Sequence, residues 1–264
     1  MRLNEYTMPA ANGIASLMSM SFGMSGAEAG VLLADAAENG ACYVKMTDDK
    51  PVSVALCKPV RLRLNKEERV GTYIFGVCTD PSHRGKGYAA GLIEEVCADT
   101  DADYAVLIPE DDDLFAFYER LGFAPNGVGA SFNVTASETE RVFIGDTDAY
   151  SEYLYFAEKC DNVSILSERD LIASGALAPR TAVIGKSGVC FVTSDRRVEA
   201  FAPRERVKGL VSSALSLLGM ASASVTAPLD YAPDCAETVR IGMIKPLRAV
   251  DVPQRFYINN LYNL

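Results

Sequence analysis

Two cations set among glycines, Arg84-Gly85-Lys86-Gly87, lie where an apolar extended run gives way to a helical pattern. Residues Thr72 to Cys78 are β-branched, aromatic and small, and they predict a buried strand. Ala89, Leu92, Ile93, Val96 and Cys97 follow at i, i+3, i+4, i+7 and i+8, one apolar helix face. The first N–H groups of such a helix lack intrahelical partners and carry partial positive charge, so they attract anions. Gly85 and Gly87 let oxygen atoms approach where a Cβ would block them. Arg84 can add a two-pronged charged hydrogen bond, and Lys86 a more mobile charge. The chemistry suits a diphosphate; the plain alternative is a tight strand–helix connection with two exposed cations.

Three nucleotide patterns compete for this stretch. Walker A needs GxxxxGK followed by Ser or Thr, and Gly87 follows Lys86 here, so that reading fails. Gly85-x-Gly87-x-x-Ala90 matches the dinucleotide form GxGxxA, with Glu110 ending the next strand, and would imply an NAD-dependent oxidoreductase. Its first glycine should come straight off the strand, however, and residues 80–84 intervene. In the third pattern, Arg84-Gly85-Lys86-Gly87-Tyr88-Ala89 resembles the R/Q-x-x-G-x-G/A signature of the GNAT superfamily of acyl-CoA-dependent N-acyltransferases. Phe117-Tyr118-Glu119-Arg120-Leu121-Gly122-Phe123 resembles the same superfamily's F-Y-x-x-L-G-F hallmark. The two occur in order, one helix and one strand apart, and the resemblance covers roughly residues 1–135.

The resemblance implies that acetyl-CoA threads between two splayed parallel strands, 72–79 and 104–108. The backbone of Val77, Cys78 and Thr79 would bond the pantetheine arm. The turn carrying Arg84, Gly85, Lys86, Gly87, Tyr88 and Ala89 would hold the diphosphate, and Asp113 and Leu114 would border the acyl-thiol end. Asp111 stands where the family often has Asn, which removes the basis for a family-like side-chain contact there. The implied reaction is attack of a primary amine on a thioester, with Tyr118 as general acid. A thiol has a pKa near 8.5 and a phenol near 10, so the phenol keeps its proton at neutral pH. An amine of pKa about 10.4 is neutral about once in 2,500 molecules at pH 7, a cost of about 4–5 kcal/mol. Asp111, Asp112 and Asp113 are near in sequence, but such a run reads as a solvated helix start. The two-lobed plan is similar to the Enhanced-intracellular-survival type of N-acetyltransferase, which implies the terminal carboxylate of Leu264 as a catalytic group. A protein that holds acyl-CoA without turnover, as a sensor or scaffold, is the alternative within this resemblance. His83, the sole histidine, reads as structural or solvent-facing.

The elements that must position these residues are α/β. The first half reads as helices at 10–22 and 26–38, strands at 41–47, 51–64 and 71–79, then helix, strand, a helix near 112–121 and a strand from Phe123. The polar stretch 134–147 marks a boundary, giving domains 1–138, of GNAT type, and 139–264. The second half repeats the order, and residues 202–209 align without gaps against 80–87, sharing Pro, Arg, Lys and the last Gly. Val207 stands against Gly85, so the copy reads as degenerate, serving structure or acceptor recognition. The 264 residues carry a net charge of −10, which argues against nucleic acid and acidic membranes and is compatible with a cationic substrate. Seven cysteines occur singly with no CxxC spacing, no metal set is legible, and neither a leader nor a membrane span is predicted. The expectation is a cytoplasmic protein.

Overall fold

The computed structural model describes residues 2–3, 8–145, 148–177 and 179–259. In chain order the first elements are β1 (Arg2–Leu3), α1 (Met8–Phe22), α2 (Gly26–Asn39), β2 (Ala41–Thr47), β3 (Lys50–Leu64) and β4 (Glu67–Thr79). Then come α3 (Tyr88–Asp99), β5 (Tyr104–Leu107), α4 (Asp112–Arg120), β6 (Ala124–Thr135), β7 (Val142–Gly145), α5 (Ala149–Ala157) and β8 (Asn162–Ile165). The chain continues through α6 (Glu168–Leu177), β9 (Arg180–Gly185), β10 (Gly188–Thr193), β11 (Arg197–Phe201), α7 (Val207–Leu217), β12 (Ser222–Ala227) and β13 (Glu237–Pro246).

The first compact unit comprises Met1–Val60, Val70–Ala124 and Met243–Val252. Its strands run in the order β1-β2-β3-β4-β5-β13, a mixed sheet. Local chemistry sets its turns and helix ends. β2 and β3 are joined at Asp48 and Asp49, both with positive φ, as a two-residue hairpin turn demands. Ser25 starts α2 with a reciprocal capping box, accepting from Glu28 N at 3.2 Å while its own N–H donates to Glu28 Oε2 at 2.6 Å. The core joins Tyr43, Ile74, Leu92, Ile93, Val96, Leu107, Phe115, Tyr118 and Phe123.

The second unit comprises Arg61–Arg69, Pro125–Gly242 and Pro253–Leu264. Its strand order is β13-β6-β12-β11-β10-β9-β7, and β8 pairs with residues Arg61–Leu64 of β3. β9, β10 and β11 are antiparallel neighbours, while β11 and β12 are parallel with α7 between them in sequence. This order and orientation match β2-β3-β4-β5 with α3. Strands β1, β7, β8 and β13 were not legible in the sequence. β7 falls in the stretch read as a polar boundary; β13 begins with exposed, charged residues and turns fully buried only at its middle.

Candidate functional site

The site begins where two parallel strands stop pairing. β4 and β5 pair from Gly71↔Tyr104 to Tyr73↔Val106 and no further, while β4 continues to Thr79. Gly76 kinks the continuing strand, with φ +58°, a conformation side chains rarely adopt. A Cβ there would lie 3.2 Å from Leu56 Cδ1 and 3.3 Å from Met18 Cε. The end of β4 is pinned by Ser53, whose Oγ donates to Cys78 O at 3.0 Å and lies 2.8 Å from Thr79 Oγ1.

The turn after β4 is pre-shaped. Asp80 accepts from Ser82 N at 2.8 Å and Ser82 Oγ at 2.5 Å, and these bonds hold its carboxyl below the usual range. Arg84 Nε donates to Thr79 O at 3.2 Å, which anchors one nitrogen of an otherwise exposed guanidinium. Gly85 and Gly87 have φ of +74° and +77°, and a Cβ on either would meet nothing within 4 Å. Glycine is thus required by conformation, and the space it leaves is open. Gly87 caps α3 without a side-chain hydrogen bond, so the helix presents bare N–H groups.

Tyr118 is placed by its own hallmark. Phe123 N donates to Tyr118 O at 3.1 Å and Gly122 N to Glu119 O at 2.9 Å, the paired bonds of a Schellman helix end. Gly122 supplies the left-handed residue, at φ +86°. The rings of Phe123 and Tyr118 then meet edge-on, centroids 5.9 Å apart. At the other end of α4, Asp111 accepts from Leu114 N at 2.8 Å as N-cap, a role that Asn fills equally well. Burial pushes the Tyr118 phenol up to about 12 and the Cys78 thiol to about 12.

These parts line one cleft of about 730 Å³, within the first unit. Val77, Cys78, Thr79, Arg84, Gly85, Gly87, Tyr88, Ala89, Asp113, Leu114 and Tyr118 all border it. Lys86 does not border it and is exposed, its neighbours on both sides being the turn glycines. His83 borders it too, half-buried rather than facing solvent, 2.9 Å from Ser82 Oγ and stacked at 6.5 Å on Tyr88. Leu264 lies outside the described residues. Sequence reasoning missed Ser21 and Phe22 at the end of α1, which carry no motif. It gave Glu110, which also borders the cleft, a part only in the dinucleotide reading, as the acid ending the next strand. Among the described residues, no cluster of His, Cys, Asp or Glu could hold a metal ion.

Residues 4–126 match the family described as "Acetyltransferase (GNAT) domain". The matched segment is a little under half of the chain and contains both the turn and the helix end just described. Among solved structures, a GCN5-related N-acetyltransferase from Kribbella flavida superposes with a TM-score of 0.71 at 16% identity, covering 94% of this chain and 72% of that one. A GCN5-related N-acetyltransferase from Anabaena variabilis gives 0.71 at 12% identity, covering 94% and 73%. Eis1 from Mycobacterium abscessus gives 0.66 at 12% identity, again covering 94% and 73%. At such identities the likeness is one of fold, and it extends well beyond the GNAT domain. No curated protein sequence matches the chain.

Proposed function

We propose that the cleft binds acetyl-CoA and that the protein moves its acetyl group to a primary amine of a small molecule, peptide or protein. One observation carries this reading: the left-handed Arg84–Ala89 turn and the Tyr118 phenol line the same cleft. The open stretch of β4 at Val77, Cys78 and Thr79 receives the pantetheine arm as though it were another strand. The bare N–H groups of α3 and the Arg84 guanidinium hold the diphosphate, with Lys86 adding charge from outside the cleft wall. Asp113 and Leu114 border the acyl end.

The amine nitrogen forms a bond to the thioester carbon, and the C–S bond then breaks with its electron pair on sulfur. Tyr118 gives its proton to that sulfur as it leaves. A phenol raised to about 12 keeps its proton throughout the physiological range, as a general acid must. It is also a weaker acid than the thiol it makes, so transfer is favourable only when the phenol's proton is replaced. The proton released by the attacking nitrogen balances that account, and amide plus free thiol are the net products.

We also read residues 139–264 as a degenerate copy of 1–138. In the second unit, α7 begins at Val207, which is fully buried, and Gly209 lies inside the helix, so the turn has been absorbed. Parallel pairing of β11 and β12 runs through Glu199↔Thr226, closing most of the splay that β4 and β5 leave open. All seven cysteines are free thiols, which suits a reducing cytoplasm. No single helix among the described residues is long and apolar enough to cross a membrane.

The test is acetyl transfer from acetyl-CoA across a panel of amines, with Tyr118→Phe beside the parent. Product from the parent and a loss of about 10²-fold or more in the variant is expected. Equal rates would remove Tyr118 from the acid role, and binding without product from any amine would favour the sensor reading.

A further inference from the structure

Acetyl transfer needs somewhere for the amine's proton to go. The strand from Thr72 to Thr79 contains no carboxylate. The acids bordering the cleft are Glu110, Asp111 and Asp113; its other titratable or charged groups are Cys78, His83, Arg84, Tyr88 and Tyr118. Most are already committed. Asp111 caps α4 through Leu114 N, at 2.8 Å. Asp113 sits in the first turn of α4, where its charge faces the helix N-terminus. His83 is held by Ser82 and Asp80 at the phosphate turn, with Nδ1 2.9 Å from Ser82 Oγ. Cys78 and Tyr118 are pushed up to about 12 by burial. Arg84 is a cation, and Tyr88 is the first residue of α3, beside that same turn. Glu110 is left: it stands between β5 and α4, caps nothing, and is open to water.

A second feature marks this cleft as built for a ligand. The Tyr118 side chain is only 7% exposed, borders the cleft, and has no hydrogen-bond partner among the described residues. Its hydroxyl is not sealed from the cleft, so it is free to bond whatever occupies that space.

We propose that Glu110 draws in the acceptor's amine by charge and takes up the proton its nitrogen releases. The proposal rests on the acetyl-transfer reading above. The acceptor arrives as an ammonium; Glu110 takes its first proton and releases it to water. As the neutral nitrogen forms the C–N bond, the C–S electron pair goes to sulfur, and sulfur takes the Tyr118 proton. The second N–H proton passes through Glu110 and water to the phenolate, so the net change is ammonium plus thioester to amide, thiol and one released proton. Exposure to solvent is an asset for a group with that duty.

The experiment compares Glu110→Gln with the parent for acetyl transfer between pH 6 and 10.5, alongside direct titration of acetyl-CoA. At pH 7 the variant's kcat/KM for the amine should fall about 10²-fold. Acetyl-CoA affinity and thermal stability should be unchanged, and the rate difference should close toward high pH, where the amine is neutral without help. Glu110→Asp should retain part of the activity. Parental turnover by Glu110→Gln at pH 7, or a loss that persists unchanged at high pH, overturns the assignment. A parent that binds acetyl-CoA but acetylates no amine overturns the transfer reading itself, and Glu110's role with it.

Discussion

Tyr118 belongs to the core, and in the proposed reaction it also does chemistry, two demands that usually conflict. Its ring packs with Phe117 at 5.1 Å and Phe123 at 5.9 Å, while its side chain also borders the cleft. Tyr118→Phe keeps that packing, so the expected outcome is a fold of parental stability with transfer slowed about 10²-fold or more. Because burial holds the phenol near 12, the pH–rate profile should rise toward alkaline pH as amine is freed and show no falling limb below about 11. A falling limb between pH 8 and 10 that disappears in Tyr118→Phe would contradict this. The turn and the tyrosine were legible because their motifs are contiguous. Glu110 was not, because nothing in sequence separates an acid beside a cleft from three neighbours that start a helix.

The elements do the positioning, and most were readable from periodicity and turn residues. α1 to α4 and the strands between them follow the apolar patterns closely. Two of the strands that were missed share a physical cause. β8 and β13 are set by partners remote in sequence, Arg61–Leu64 for one and Tyr104–Leu107 for the other. Such pairings leave little local imprint. The end of α4 gives a clean test of element-level control. Asp111→Asn preserves an N-cap acceptor and should hold stability within a few tenths of a kcal/mol, whereas Asp111→Ala should cost about 1 kcal/mol in urea denaturation. An equal cost for both would mean that the charge, rather than the cap, is what matters.

Across the whole molecule, stability should respond to alkali through groups in both units. Cys78 and Tyr118 in the first unit, and Cys160 and Cys190 in the second, are each pushed up to about 12 by burial. Folding favours their protonated forms, so this contribution is intact below about pH 9 and is lost as pH rises toward 12. Denaturation midpoints should fall steadily across that window. A flat response would mean that these groups are more accessible than the fold makes them. The first unit also buries Lys58 against Asp35 at 2.9 Å, with 3% and 7% exposure, and Asn39 Nδ2 donates to the same carboxylate at 2.7 Å. Lys58→Met should destabilise by about 3–5 kcal/mol, and the double change Lys58→Met, Asp35→Leu should regain most of that.

The most direct measurement is calorimetric titration of acetyl-CoA into the parent, Arg84→Gln and Gly85→Val, with NAD titrated as a control. The last variant installs the residue that the second half of the chain carries at the aligned position. Saturable acetyl-CoA binding by the parent, weakened at least tenfold in both folded variants and absent for NAD, is the predicted result. Undiminished binding in both variants, or heat with NAD alone, would contradict the claim that the Arg84–Ala89 turn grips the coenzyme's diphosphate.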